Sequence, residues 1–346
     1  MIEIDGSYLE GGGQILRTAT SLSAILKKPC HIFNIRKKRK NPGLALGHLV
    51  ALRAVAEICG GKLEGDFLGS QEIYFYPKEI RKSEVSIWTE TASSITLMLQ
   101  NLIPVALFSG RKVTLSFIGG ATDTYFSPSF DYFRYVFLKI LEKLKIKIET
   151  EIERRGFYPK GGARLKVKIF PQKEIEGLDL KERGTLKKIL IISGASLNLK
   201  ERKVAERQLI SAKRIILRKI RSSFKIEEKV EYYDTLGAGS QINVIGEFEK
   251  SFLGADNLGK LKKRAEVVGE EVALKFLEEY QSEACLDSHL SDQILIYLAL
   301  SKKPSKITVS KITSHFKTNL WVIQKFLPTR FKIRRNQKNF LVEIFP

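Results

Sequence analysis

The sequence predicts an α/β (α+β) fold made of repeated units, interrupted by a smaller inserted α/β domain. Three observations carry this. The order strand, helix, strand, helix, then two further strands occurs about twice within the first 170 residues. Composition shifts near Pro171 to Gly184, where a stretch of different pattern begins. The strand and helix alternation then resumes beyond Tyr280. A chain of 346 residues also exceeds one typical core.

The elements follow from local pattern. Met1 to Ile4 reads as a strand, followed by a Gly-rich turn and a helix from about Gln14 to Leu26. Cys30 to Ile35 is the next strand. Leu46 to Cys59 carries apolar residues at helical spacing and ends at Gly60-Gly61. Lys62 to Gly65 and Glu72 to Tyr76 close the first unit. In the second, strand Val85 to Trp88 leads through a Ser/Thr-rich turn to a helix from Ser94 to Phe108. Strand Lys112 to Ile118, helix Phe130 to Leu144, and strands Ile146 to Glu153 and Arg164 to Ile169 complete it.

The inserted stretch reads as strand Leu186 to Ser193, a basic helix from Lys200 to Ser222, strands Lys229 to Tyr233 and Gln241 to Phe248, and a helix from Arg264 to Glu279. After it, Ser288 to Ala299, strand Lys306 to Val309, a helix from His315 to Phe326, and strands Arg330 to Ile333 and Phe340 to Ile344 resume the first pattern. The expected organisation is a large domain at 1–183 and 280–346 around a small one at 184–279.

Charge narrows the partners. Lys plus Arg number 59 against 38 Asp plus Glu, a net +21 that attracts polyanions. The lysine-rich composition of thermophile proteins gives the same balance, so charge alone does not separate the two. Cys30, Cys59 and Cys285 form no CxxC pair, which argues against a disulfide framework or a zinc site. No apolar run reaches ~18 residues and the N-terminus reads as strand and turn, so a cytoplasmic protein without membrane attachment is expected.

Five segments carry chemistry. Glu10-Gly11-Gly12-Gly13-Gln14-Ile15-Leu16-Arg17 sets glycines before a helix start, where free N–H groups favour an anion. Glu10 there suits a divalent metal bridging phosphates, and Arg17 a phosphate. The segment matches neither GxGxxG nor GxxxxGK[ST], so neither a dinucleotide fold nor a P-loop is supported. The basic run Arg36-Lys37-Lys38-Arg39-Lys40 precedes the turn Asn41-Pro42-Gly43 and suits a phosphodiester backbone. Arg155 to Gly162 interleaves aromatics with cations, as stacking and phosphate contact require. His315 lies between a strand and a polar helix start, where a neutral imidazole can attack phosphorus, with Asn319 one turn on to orient it. His289 to Gln293 offers a ring to stack on adenine and two polar groups, Asp292 and Gln293, for a base or ribose. Each has a plain alternative: a tight turn, a solvated charge run, a packed β-turn, an exposed histidine, an ordinary helix start.

In this order, the segments resemble the RNA 3′-terminal phosphate cyclase family. The matching residues are Glu10 to Arg17, Arg39 with Pro42-Gly43-Leu44, Glu64-Gly65, Leu68-Gly69-Ser70, Gln100, Gly156 to Gly162, Asp292-Gln293, and His315 with Thr318-Asn319. They run almost from end to end. The resemblance implies units of two helices on a four-stranded sheet, like the C-terminal domain of translation initiation factor 3, with a small domain inserted near 184–279. It also implies an ATP-dependent enzyme acting with Mg²⁺ or Mn²⁺ on an RNA bearing a 3′-phosphate end. His315 would be the nucleophile that takes AMP. Gln100, Pro128, Asp131, His289, Leu290, Ser291, Asp292 and Gln293 would form the adenosine pocket. Arg17 and Arg39 would contact phosphate, and Glu10 would hold the metal.

The chain departs from the family pattern in places. Leu46 and Gly47 stand where an Arg or Pro and then a Gln are usual, which puts one phosphate contact in doubt. His289 stands where Tyr is common, Ser93 replaces a Gly, and Ala163 ends what is often a Gly triplet. Two other readings compete. Cyclase-like proteins of ribosome biogenesis share the family but lack the histidine, so His315 favours an enzyme. Enolpyruvyl transferases share repeated architecture, but their pattern does not fit the Gly-rich segments or His315.

Overall fold

In the computed structural model, which describes residues 1–346, three four-stranded sheets share one connectivity. The first unit runs β1 (Ile2–Asp5), α1 (Gly13–Leu26), β2 (Cys30–Phe33), α2 (Leu46–Cys59), β3 (Lys62–Glu64) and β4 (Ile73–Tyr76). The second runs β5 (Glu84–Ser94), α3 (Ile95–Leu107), β6 (Val113–Ala121), then α4 (Phe130–Tyr132), which passes through a π-helical stretch at Phe133–Phe137 into α5 (Leu138–Lys143), and β7 (Ile148–Arg154) and β8 (Arg164–Ile169). The sheet orders are β1-β2-β4-β3 and β5-β6-β8-β7, each with one parallel and two antiparallel pairings.

The third unit opens with β9 (Asp179–Leu180) and is then interrupted. The interruption contains β10 (Leu186–Ser196), α6 (Val204–Lys219), β11 (Lys225–Tyr233), β12 (Ser240–Phe248), β13 (Phe252–Leu258) and α7 (Ala265–Gln281). The unit resumes with α8 (Leu290–Gln293), α9 (Leu295–Ala299), β14 (Ser305–Val309), α10 (Ser314–Phe326), β15 (Arg330–Arg335) and β16 (Phe340–Phe345). Its sheet, β9-β14-β16-β15, repeats the connectivity of the other two, whereas the interrupting sheet, β11-β10-β12-β13, does not. The α/β fold of repeated units read from the sequence is therefore the fold observed. One apolar cluster runs through the three units, and a separate one lies between the interrupting sheet and α6 and α7.

Some boundaries differ, for physical reasons. β5 does not end at Trp88 but continues through the Ser/Thr-rich stretch to Ser94, with a register shift between Thr89 and Ser94. β-branched Thr89 and Thr91 suit extended backbone. The shift is matched on the partner strand by Gly119 and Gly120 at φ +92° and +77°. A Cβ on Gly119 would lie 1.9 Å from the Thr89 carbonyl oxygen, so only glycine lets the strands approach there.

β13 has no strand signature, because Gly254, Asp256 and Asn257 are poor strand formers. Tertiary bonds hold it: Gly254 donates to Asp287 (3.1 Å), and Asn257 donates to the Val268 carbonyl (3.0 Å) and to Glu271 (2.9 Å). β9, with two residues, is too short to read. The basic helix is shorter than expected at both ends, preceded by a 3-10 turn at Leu197–Leu199 and by Lys203 in a left-handed conformation.

Candidate active site

The site forms where the first turns of α1 and α10 meet, from the first and third units, with α3 and the loop after β6 closing over them. α1 begins without a side-chain cap, which leaves N–H groups free at its start. Glycine at 13 is required because a Cβ would lie 2.1 Å from Nε2 of His48. From this helix Gln14, Arg17 and Thr18 project on one face, at spacings of three and four.

His315 stands in the first turn of α10, whose start is capped by the Thr313 hydroxyl accepting from Phe316 N–H (3.0 Å). Gln14 fixes it twice. Its Nε2 donates to the His315 carbonyl (3.1 Å), so its Oε1 faces the ring and accepts from Nδ1. That arrangement sets the proton on Nδ1 and leaves the lone pair on Nε2. Nε2 lies 3.1 Å from Oε1 of Glu10, whose same oxygen accepts from Arg39 Nη2 (2.9 Å). Burial holds the His315 imidazole below its ordinary pKa; Glu10 pulls it up, and Arg17, Arg39 and His289 push it down.

Asn319 does not orient the ring, contrary to the reading from helical spacing. It accepts from Thr18 (2.7 Å) and donates to the Asp292 carbonyl (2.8 Å), tying α1, α8 and α10 together.

His315 lines a cavity of about 410 Å³ together with Gln14, Arg17, Gln100, Pro128, His289, Asp292 and Gln293. Five of the eight expected adenosine-pocket residues thus share one cavity with the candidate nucleophile. The other three do not line it. Leu290 is in the core, and Ser291 is buried, donating to the Ser288 carbonyl (3.0 Å). Asp131 is buried too: it accepts from Arg155 Nη2 (2.6 Å) and Gln241 Nε2 (2.9 Å), so its carboxylate is consumed in the protein interior.

The same pair corrects the reading of the Arg155 to Gly162 loop. Arg155 and Phe157 are buried, and only Tyr158 and Lys160 remain exposed for stacking or phosphate contact. The basic run is partly engaged. Arg36 donates to the Gly43 carbonyl (2.7 Å) and Lys38 to the Leu9 carbonyl (2.9 Å), which braces the Glu10 loop.

The electrostatics favour an anion in this cavity. Arg17, though lowered to about 10 by burial, stays cationic at neutral pH. Burial pushes the Asp292 carboxyl up to about 8, against the pull of Arg17. His48 is driven down to about 3 by burial and by Arg17 and Arg36, so it is neutral. No three His, Cys, Asp or Glu side chains converge as a metal site. Glu10 alone fits the kind of ion that keeps its waters and is held chiefly by substrate phosphates.

Gln14 and Thr18 were absent from the sequence-based site, although their one-face spacing with Arg17 was a usable signal. Asp256 and Lys275, contributed to the cavity by the interrupting segment, had none. Replacing Gln14 by leucine is expected to slow any reaction at Nε2 by about 10²-fold through loss of ring position. The rate at which an electrophilic phosphorus reagent labels His315 measures this, and thermal unfolding of the variant should stay nearly unchanged.

Comparison with known proteins places these residues in context. A family model described as RNA 3′-terminal phosphate cyclase matches residues 8–333. A protein of Sulfurisphaera tokodaii named RNA 3′-terminal phosphate cyclase is 43% identical over 339 residues, covering 96% of each chain. One of the same name from Pyrococcus abyssi is 43% identical over 333 residues, 96% of this chain and 95% of its own. Another, from Pyrobaculum aerophilum, is 39% identical over 344 residues, 99% and 97% of the two chains.

Proposed function

Since the chain belongs to the RNA 3′-terminal phosphate cyclase family, we propose that it is a ligase-type RNA-processing enzyme that uses ATP to convert an RNA 3′-phosphate end into a 2′,3′-cyclic phosphate. The observation that carries the detailed reading is the His315 ring, held by Gln14 with its Nε2 lone pair at the wall of the Gln100, Pro128, His289, Asp292 and Gln293 cavity. Nε2 attacks the α-phosphorus of ATP, a P–N bond forms, and pyrophosphate leaves. The AMP then passes to an oxygen of the RNA 3′-phosphate and frees Nε2. The neighbouring 2′-hydroxyl attacks that activated phosphorus, loses its proton and expels AMP.

Each protein group has a part. Gln14 keeps the proton on Nδ1 and aims Nε2. His289 stacks on adenine, and Gln100, Asp292 and Gln293 meet the base and ribose. Arg17 and Arg39 bind phosphate oxygens, and the free N–H groups at the start of α1 add to them. Nε2 must part from Glu10 before it attacks, because a neutral ring opposes a lone pair to that carboxylate. Glu10 would hold Mg²⁺ or Mn²⁺, which when bound would neutralise charge developing on the phosphates. We also read 184–279 as an inserted domain and the protein as cytoplasmic. No helix is long and apolar enough to cross a membrane.

The test is incubation of the protein with ATP, divalent metal and a 3′-phosphorylated oligonucleotide. A phosphatase-resistant 2′,3′-cyclic end is the expected product. An oligonucleotide with a terminal 2′-deoxy sugar is expected to stop at the adenylylated end, since it lacks the attacking hydroxyl. No conversion of the ribose-ended substrate would defeat the reading.

A further inference from the structure

Two basic stretches stand out in the sequence, and the structure treats them differently. On α6, Arg207 pairs with Glu266 (2.8 Å), Lys213 with Glu228 (2.6 Å) and Arg214 with Glu270 (3.1 Å), so much of that helix's charge is neutralised from within. In the run at 36–40, Lys37, Lys38 and Lys40 are exposed and none is ion-paired. Lys37 reaches only Asn34 Oδ1 (3.5 Å), and Lys38 only the Leu9 carbonyl (2.9 Å). Glu10, next to Leu9, is already taken by Arg39 (2.9 Å) and His315 (3.1 Å).

The Lys38 bond places this run beside the loop that carries Tyr8. Tyr8, 37% exposed, lays its ring on Trp321 of α10, with centroids 4.1 Å apart and planes 13° from parallel. The Lys325 ammonium lies 5.3 Å from the centre of the Trp321 ring. Lys317, Trp321 and Lys325 recur at every fourth residue and so share one face of α10. Both lysines are exposed, and neither is ion-paired. None of these residues lines the His315 cavity. They form a separate surface of five unpaired lysines around one aromatic face that a second ring holds in place. A stack that only fastened the loop to α10 would need no cations around it.

We propose that this surface carries the RNA upstream of its 3′ end. A base stacks on the open face of Tyr8, and the phosphodiesters run past Lys37, Lys38, Lys40, Lys317 and Lys325. Clustered cations without carboxylates repel one another until a polyanion meets them. An aromatic face among lysines suits a single strand, because every base has a π-face and the backbone is anionic. Trp321 holds the Tyr8 ring in advance, so little side-chain freedom is lost when a base lands on it. The surface begins at Arg39, which contacts phosphate in the proposed reaction. Trp321 follows His315 by six residues of α10, about 9 Å along the helix. That matches roughly three stacked bases, so the base on Tyr8 is an internal one. The proposal rests on the reading of His315 and Arg39 as the place where the RNA end reacts.

Anisotropy of fluorescent 3′-phosphorylated oligoribonucleotides, measured without ATP, tests the surface by itself. A hexamer is expected to bind at least roughly tenfold more tightly than a dimer, the worth of about one stacked base. Tyr8→Ala should remove about tenfold of that advantage and leave dimer affinity unchanged, which also shows that the variant folds. Tyr8→Phe keeps the ring face and should keep the advantage. The logarithm of hexamer affinity falls against the logarithm of salt concentration with a slope of about 0.7 per phosphate contacted. Lys317→Gln combined with Lys325→Gln should make that slope shallower by about 1.4. Equal affinity for dimer and hexamer overturns the proposal. So does a Tyr8→Ala loss that falls on both lengths alike, or a salt slope that the lysine variant leaves unchanged. Labelling by α-labelled ATP is scored separately. No adduct with the hexamer advantage intact counts against the His315 reading alone, and an adduct without the advantage counts against this surface alone.

Discussion

His315→Ala is expected to abolish the protein–AMP adduct and to lower cyclisation by roughly 10⁴-fold or more, the scale seen when an enzyme loses its nucleophile. A phosphate monoester is a poor electrophile with no good leaving group, and in the proposed mechanism the covalent adenylate divides the reaction into feasible steps. Of the other nucleophilic side chains at the cavity, Lys275 donates to the Asp256 carbonyl (3.2 Å). His289 lines the same cavity but lacks the Gln14 contact that would set its tautomer, and His48, whose Nδ1 accepts from the Ala45 N–H (3.3 Å), does not line it. The variant should fold. The His315 side chain is 47% exposed, and the Thr313 cap of α10 does not depend on it. The measurement is acid-sensitive, base-stable labelling from α-labelled ATP, alongside thermal unfolding. A variant that is still labelled, and still cyclises, would show that phosphorus is attacked elsewhere.

The first two units were legible because each writes its helices and strands in strong local pattern. α2 and β8 were read to the residue, whereas the third unit, opened by the two-residue β9 and then interrupted, shows the same sheet connectivity only in the structure. What escaped was set by distant contacts. β13 is held by Asp287 and by α7, neither visible from its own residues. Asp131 illustrates the same limit at the site: a carboxylate near Pro128 in sequence reads as a ligand, yet Arg155 and Gln241, far along the chain, claim it. Gln14 was within the quoted motif but was passed over, because its partner lies 301 residues away. Gly47, one of two residues whose identity put a phosphate contact in doubt, packs in the structure against Ser93, 3.1 Å from whose hydroxyl oxygen a Cβ would lie.

The buried cluster that keeps Asp131 out of the cavity lined by His315 makes the largest stability prediction. Arg155, 5% exposed, bonds Asp131 Oδ1 (2.6 Å) and approaches Asp123 Oδ2 (3.4 Å), with its guanidinium 4.5 Å above the Tyr233 ring. Arg155→Met keeps much of the volume but leaves two carboxylates facing each other out of water. Removing one partner of a buried pair costs about 3–5 kcal/mol, and in a chain of this size that lowers the unfolding midpoint by roughly 4–7 °C.

Asp123 already has an oxygen without a partner, and burial pushes its carboxyl up to about 6 even with the cation present. Asp123→Asn should therefore cost far less than Arg155→Met. The cluster also fixes the loop from Thr122 to Pro128. The Thr122 N–H donates to the Gly156 carbonyl (3.0 Å), and the Gly156 N–H donates to the Thr122 hydroxyl (3.1 Å). That loop carries Phe126 and Pro128 to the wall of the cavity that His315 lines, so Arg155→Met should also weaken ATP-dependent labelling at temperatures well below unfolding. Thermal denaturation followed by circular dichroism, with labelling measured at 25 °C, reads both effects. An unfolding midpoint equal to that of the parent protein would mean that the two carboxylates find water or protons at little cost, and that the cluster does not hold the loop.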